Sequence, residues 1–279
     1  MAVTTPQART PVLPPPSGRA GFSGTLRSEF TKIRSVRSTY WTLLVMLVVS
    51  VGIGAAISAG TAASWSHTSA ADRATFDATQ ASIAGLFYLG QLVIVVLGAL
   101  VCTSEYSTGM IRTSLTAMPR RTTVFTAKAV VFGLIALVVA LVAAFVAFLL
   151  GQSLLGSTHE SVTLSGPHVL RAVIGTALYV TLCGLLAFAA GSIMRHTAAT
   201  ISAVIGLLFV IPILVQLLPS SWTNDIERWL PSSAGTAIST TISGQNQHLF
   251  APWTQFAVLA IYVAALLIIG AILFRKRDA

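Results

Sequence analysis

Apolar residues in this chain neither alternate nor recur as narrow stripes. They gather in long blocks separated by short polar intervals. A helix needs about 20 residues to cross about 30 Å of hydrocarbon, and six blocks are long enough: 40–60, 82–102, 123–150, 169–190, 200–218 and 254–274. Being apolar on all sides, they are predicted to lie against lipid or one another rather than against water. The expected fold is an all-α integral membrane protein with six transmembrane helices. An even number of crossings returns both termini to one side.

The polar intervals differ in kind. Residues 1–24 hold TPQARTPVLPPPSGRAG, proline-rich with little to bury, and read as a disordered tail ahead of a transmembrane domain over 25–279. From 25 to 39, Leu26, Phe30 and Ile33 recur at helical spacing among Arg27, Lys32, Arg34 and Arg37, which predicts an amphipathic N-terminal elbow helix at the membrane surface. Tyr40 and Trp41 follow at the depth aromatic rings favour. The first apolar block is too long and begins too late for a cleaved signal peptide, so it is expected to remain as an anchor. Between the fifth and sixth blocks, Trp222, Ile226, Trp229, Leu230, Ile238 and Ile242 make Pro219 to Trp253 too apolar for a free loop. One or two short helices in the outer leaflet are predicted there, the alternative being an ordinary outer loop with an aromatic anchor.

The longest polar interval on the basic side is TSEYSTGMIRTSLTAMPRRTTVFTAK, from Thr103 to Lys128. Thr103 and Ser104 are capping residue types and Glu105 is disfavoured at a helix C-terminus, so one helix is expected to end there and another to begin. Gly109 permits a bend. Ile111, Leu115 and Met118 share one face of a short surface helix, Pro119 closes it, and Arg120 and Arg121 stand where anionic head groups lie. Taken singly, Glu105 reads as a cap and Arg112 as a head-group contact. The compound pattern is what neither role demands.

Composition sharpens the class. With 54% hydrophobic and 9% charged residues the chain lies outside the usual range of soluble domains. The net charge of +9 reports topology rather than nucleic-acid binding. Every basic residue except Arg73, Arg171 and Arg228 falls on the side of the termini, which places the N- and C-termini in the cytoplasm. Cys102 and Cys183 lie in predicted spans, so no disulfide is expected.

Reactive chemistry is not visible. None of Lys32, Lys128 and Lys276 follows a phosphate-binding glycine loop, and HExxH, GxSxG and CxxC do not occur. His67, His159, His168, His196 and His248 lack ligand spacing. No catalytic, cofactor-binding or metal-binding residue is predicted on this chain. Lys128 and Arg171 lie close enough to span ends to snorkel, which leaves neutral groups at depth: Gln91, Thr176, Tyr179, Thr181, Ser202 and Gln216, with a kink expected at Pro212. An ion-coupled secondary transporter would need ionisable groups there. The neutral residues either line a weakly polar path for an amphiphilic substrate or bond one helix to another, and Gly52, Ala56 and Gly60 read as packing positions in the first span.

The segment SEYSTGMIRTSLTAMPRRTTVFTAK, the start LRSEFTKIRSVRSTYWTLL and the run WLPSSAGTAIS before the last block resemble the membrane subunits, or permeases, of ATP-binding-cassette (ABC) exporters of the second type. The resemblance covers most of the chain beyond the proline-rich tail. It implies a multi-pass permease of a bacterial plasma membrane that pairs with a second copy or a paralogue. It also implies a separate ABC ATPase subunit holding the ATP and Mg, since no nucleotide-binding domain is fused here. In that family the interval between the second and third spans carries the coupling helix, which assigns Glu105, Gly109, Arg112 and Pro119 to the ATPase contact. The second and fifth spans face the central cavity, which makes Gln91, Phe209, Pro212 and Gln216 candidate pathway-lining residues. The implied function is ATP-driven export of an amphiphilic or lipophilic drug, antibiotic or lipid. A non-transporting scaffold or sensor subunit is the alternative, and ion-coupled transport a more distant one.

Overall fold

The computed structural model describes residues 21–107, 121–158, 161–242 and 244–276. Among the described residues the secondary structure is helical, with no strand. Six helices are long and apolar enough to cross a membrane: Arg37–His67, Ala78–Glu105, Arg121–Leu155, Val169–Met194, Thr197–Val215 and Pro252–Lys276, the first to sixth spans. A further N-terminal helix, Phe22–Ser35, precedes them and breaks at Val36, whose φ of −86° and ψ of 107° are extended. Two short helices, Ser220–Glu227 and Ser233–Ser239, connect the fifth span to the sixth.

The fourth span is the hub. In its most apolar window 78% of residues are buried, against 22% in the fifth span and 17% in the sixth. It packs on the second, third and sixth spans and on the short helix Ser233–Ser239. Close approach explains this position, because lipid tails compete equally for apolar side chains and helices associate where small residues let backbones meet. A Cβ on Gly98 of the second span would overlap the Gly184 carbonyl oxygen of the fourth, and one on Gly175 would overlap Ile238. Around these contacts Phe132 stacks on Phe188 with ring centroids 6.2 Å apart, and Phe125 joins Phe188 to Phe274 of the sixth span.

The first span packs through a different stripe from the expected one. Gly52 and Gly60 have open space where a Cβ would go, and Ala56 is exposed. The buried small residues are Ser50, Gly54 and Ser58, two positions earlier on the helix. Side chains added to Gly54 or to Gly85 of the second span would collide with the carbonyl oxygens of Ser82 and Ser50 respectively. Both stripes have the same four-residue spacing, so composition could not choose between them; the partner helix did.

The second and fifth spans each contain one π-helical turn, Leu86–Gly90 and Gly206–Val210. In the fifth, the turn lies directly before Pro212, which has no N–H to donate and whose ring crowds the carbonyl four residues back. The wider turn absorbs that mismatch, so the expected disturbance at Pro212 is taken up one turn earlier. The fourth and fifth spans are joined by only two residues. Arg195 adopts the left-handed conformation at φ 54°, its N–H closing on the Gly191 carbonyl, and the His196 ring nitrogen accepts from the Ala199 N–H.

Candidate functional site

The N-terminal helix meets the bundle through an acid. Thr25 and Glu29 are its buried residues, while Phe30, expected to be on its apolar side, is half exposed. Glu29 is only 3% exposed and faces Lys128 of the third span, itself 7% exposed. Lys128 therefore does not snorkel outward; it turns inward to an ion pair. Its Nζ lies 3.8 Å from Glu29 Oε2 and makes a closer pair with Glu105 Oε2 of the second span. Lys32 closes the set from one turn along the N-terminal helix, with Nζ 2.7 Å from Glu29 Oε1 and 3.4 Å from Glu105 Oε1.

Two carboxylates and two ammoniums thus alternate around a small, partly buried site that joins three helices, and their formal charges cancel. Burial alone would lower the Lys32 pKa, but the hydrogen bond and charge of Glu29, with those of Glu105, outweigh it and hold the ammonium above its ordinary range. Lys32 stays charged through neutral pH, and what it contributes to stability is lost only as pH rises through that raised value.

Glu105 departs from its expected local role. The helix does not end at Thr103 and restart; Gln91–Ser107 runs through without a break. Thr103 turns its hydroxyl back to the Ala99 carbonyl and across to Thr197 Oγ1 at 2.7 Å, tying the second span to the start of the fifth. A carboxylate near a helix C-terminus opposes the helix dipole, and here two lysines offset it. Gly109, Arg112 and Pro119, and with them the expected coupling helix, lie outside the described residues. The described stems on either side are clamped together by Glu105 and Lys128.

The four pathway candidates are differently placed. Gln91 follows the π-helical turn of the second span, is 4% exposed, and its Oε1 has no hydrogen-bond partner among the described residues. Phe209 lies in the π-helical turn of the fifth span and packs partly buried against the core. Pro212 is half buried and Gln216 is exposed at the far end of that span. No single site within this chain gathers them.

At the end of the bundle away from the N-terminal helix, buried polar groups staple the connections down. Asp77 caps the second span by accepting from the Gln80 N–H at 3.0 Å and holds the Thr241 N–H and hydroxyl at 2.6 and 2.9 Å. Gln152 donates to the Ala78 carbonyl and Ser82 Oγ while accepting from the Val162 N–H. Gln255 donates to the Arg228 carbonyl and accepts from the Phe250 N–H. A cleft of about 600 Å³ opens beside these ties, between the first and second spans and the helix Ser233–Ser239, with Ile57, Phe87, Tyr88 and Asp72 among its walls.

The sequence reading passed over Glu29, Gln152 and Gln255. Glu29 carried a signal: it is the one acid in a helix otherwise basic, where an isolated carboxylate facing anionic head groups would be unfavourable. Asp77 also had one, an acidic residue directly ahead of an apolar run.

Among known proteins, no curated protein matches the chain. A family described as ABC-2 family transporter protein matches it over residues 25–223, well over half its length and including most of the N-terminal helix, the four-charge site and the first five spans. With six apolar helices, the fourth the most buried of them, and no strand among the described residues, the chain belongs to the ABC-2 family of transporter proteins.

Proposed function

We propose that this permease subunit forms, with a second copy or a paralogue, the pathway for export of an amphiphilic or lipophilic substrate, driven by a separate ABC ATPase that holds ATP and Mg. The observation that carries the reading is the clamp at the base of the 108–120 segment. Lys128 sits about 10 Å along the third span from Arg121, and there it binds Glu105 of the second span and Glu29 of the N-terminal helix. A push on the intervening segment would be carried into three helices together rather than spent in bending one. Glu105 acts as a positioning residue for that unit, while Gly109, Arg112 and Pro119 provide the ATPase contact. Gln91, Phe209, Pro212 and Gln216 face the pathway, with Gln91 finding an acceptor role toward substrate or water in an open state.

The test is purification of the tagged full chain from its native membrane, identification of the ATPase that accompanies it, and reconstitution of the complex for simultaneous measurement of ATP hydrolysis and substrate movement. The expected result is a stoichiometric ATPase whose hydrolysis continues while transport is lost in Gly109→Val and Arg112→Glu, at unchanged membrane abundance. Full transport in both variants would remove the segment from the mechanism. An associated ATPase with no transport of any amphiphile would favour a scaffold or sensor subunit.

A further inference from the structure

The charged residues at the N-terminal end of the bundle are unequally satisfied. Glu29 and Glu105 are both engaged by Lys32 and Lys128. Arg34 and Arg37 are exposed at the junction of the N-terminal helix and the first span, and neither has an ion pair among the described residues. The acids at that junction are already taken, so these guanidiniums leave it positive.

Arg37 also heads an open groove of about 700 Å³ that runs along the first span past Tyr40, Trp41, Leu44 and Leu47 to Val139 of the third. Trp41 is 67% exposed and Leu44 49%. From Arg37 to Leu47 the helix rises about 15 Å, roughly half the hydrocarbon thickness and therefore the depth of one leaflet. A guanidinium at its head, an aromatic rim and an apolar trough one leaflet deep fit a single amphiphile: an acidic head on Arg37, with the exposed Arg34 three residues earlier on the preceding helix adding positive charge, its ester region beside Tyr40 and Trp41, and an acyl chain along Leu44, Leu47 and Val139.

We propose that this groove is a binding site for one anionic phospholipid of the surrounding bilayer. Charge complementarity selects that occupant over a second copy of the chain. An isologous contact through this groove would place these arginines from both copies in one interface, with no unengaged acid among the described residues there to meet them. The lipid would sit against the N-terminal helix and the first span, so its head group bears on the helix that carries Glu29. The inference does not depend on what the protein transports.

Trp41 is a built-in reporter, because Trp65, Trp222, Trp229 and Trp253 all lie at the opposite end of the bundle. A full chain retaining only Trp41, with the others replaced by phenylalanine, would be placed in phosphatidylcholine vesicles containing either dibrominated phosphatidylglycerol or dibrominated phosphatidylcholine, whose bromines quench indole fluorescence. The expected result is preferential quenching by the anionic lipid, with a relative affinity of about fivefold or more from each arginine's attraction to acidic head groups. That preference should disappear in Arg34→Gln/Arg37→Gln. Native mass spectrometry of the chain with all its tryptophans should show a retained phosphatidylglycerol that the same double variant loses. Equal quenching by the two lipids would overturn the proposal, as would a preference that survives the double variant. Absence of quenching by either would show the groove covered by protein and overturn it too.

Discussion

Replacing Lys128 with methionine should destabilise this protein more than any exposed charge change, because it leaves two largely buried acids a single ammonium between them. The substitution keeps most of the side-chain volume and removes one ammonium. Glu29 and Glu105, with side chains 4% and 13% exposed, would then share Lys32 alone, at 2.7 and 3.4 Å. The cluster would pass from formal neutrality to one uncompensated negative charge. Removing one partner of a buried pair costs about 3–5 kcal/mol. At about 2–4 °C per kcal/mol for a protein approaching this size, the melting temperature should fall on the order of 10 °C.

The companion variant separates charge from packing. Glu105→Leu/Lys128→Met removes one charge of each sign and leaves the Lys32–Glu29 pair in place, so it should melt within roughly 3 °C of the unmodified chain, since apolar replacement of a buried pair is often close to neutral. Both would be purified into lipid nanodiscs and followed by intrinsic fluorescence on heating at neutral pH. The reasoning is refuted if Lys128→Met melts like the unmodified protein, or if the double variant loses as much as Lys128→Met or more. Either result would mean that water, rather than the opposite charge, already compensates each group.

Three further substitutions test the packing and the far-end staples. Gly85→Ala should lower the melting temperature by several degrees, about 1–3 kcal/mol of overpacking, because its Cβ would meet the Ser50 backbone carbonyl; Gly52→Ala, into open space, should be neutral or raise stability by up to about 1 kcal/mol. Equal effects at the two positions in the same melting assay would contradict the assigned seam. Asp77→Ala removes a helix cap and both ties to Thr241, and should cost about 1–3 kcal/mol. Hydrogen exchange should rise at Thr241 and the start of the second span while the Glu29 to Lys128 site stays protected; protection unchanged at Thr241 would show that the tie carries nothing.

The six spans were legible in the sequence because each is a property of a local window: about 20 apolar residues satisfy their own backbone by becoming a helix, whatever surrounds them. The short helices after the fifth span could be read for a similar reason, since their aromatic and aliphatic residues are out of place in water. Which face of each helix turns inward was not local information. Gly52, Ala56 and Gly60 have the same spacing as Ser50, Gly54 and Ser58, and only the approach of Ser82 and Gly85 selected the second set.

The same division holds at the candidate site. Sequence alone marked Thr103 to Lys128 as the unusual polar interval and named Glu105 within it. It gave Glu105 a capping role because the charges that engage it are distant along the chain: Lys32 is 73 residues away. A carboxylate's function depends on the charge within a few ångströms, and folding brought Glu29, Lys32, Glu105 and Lys128 into that range. Hydrophobic length determined that this chain has six helices long enough to cross a membrane; the packing of three helices on one another decided which of its few charges are bound together and which, at Arg34 and Arg37, are left exposed with no ion pair among the described residues.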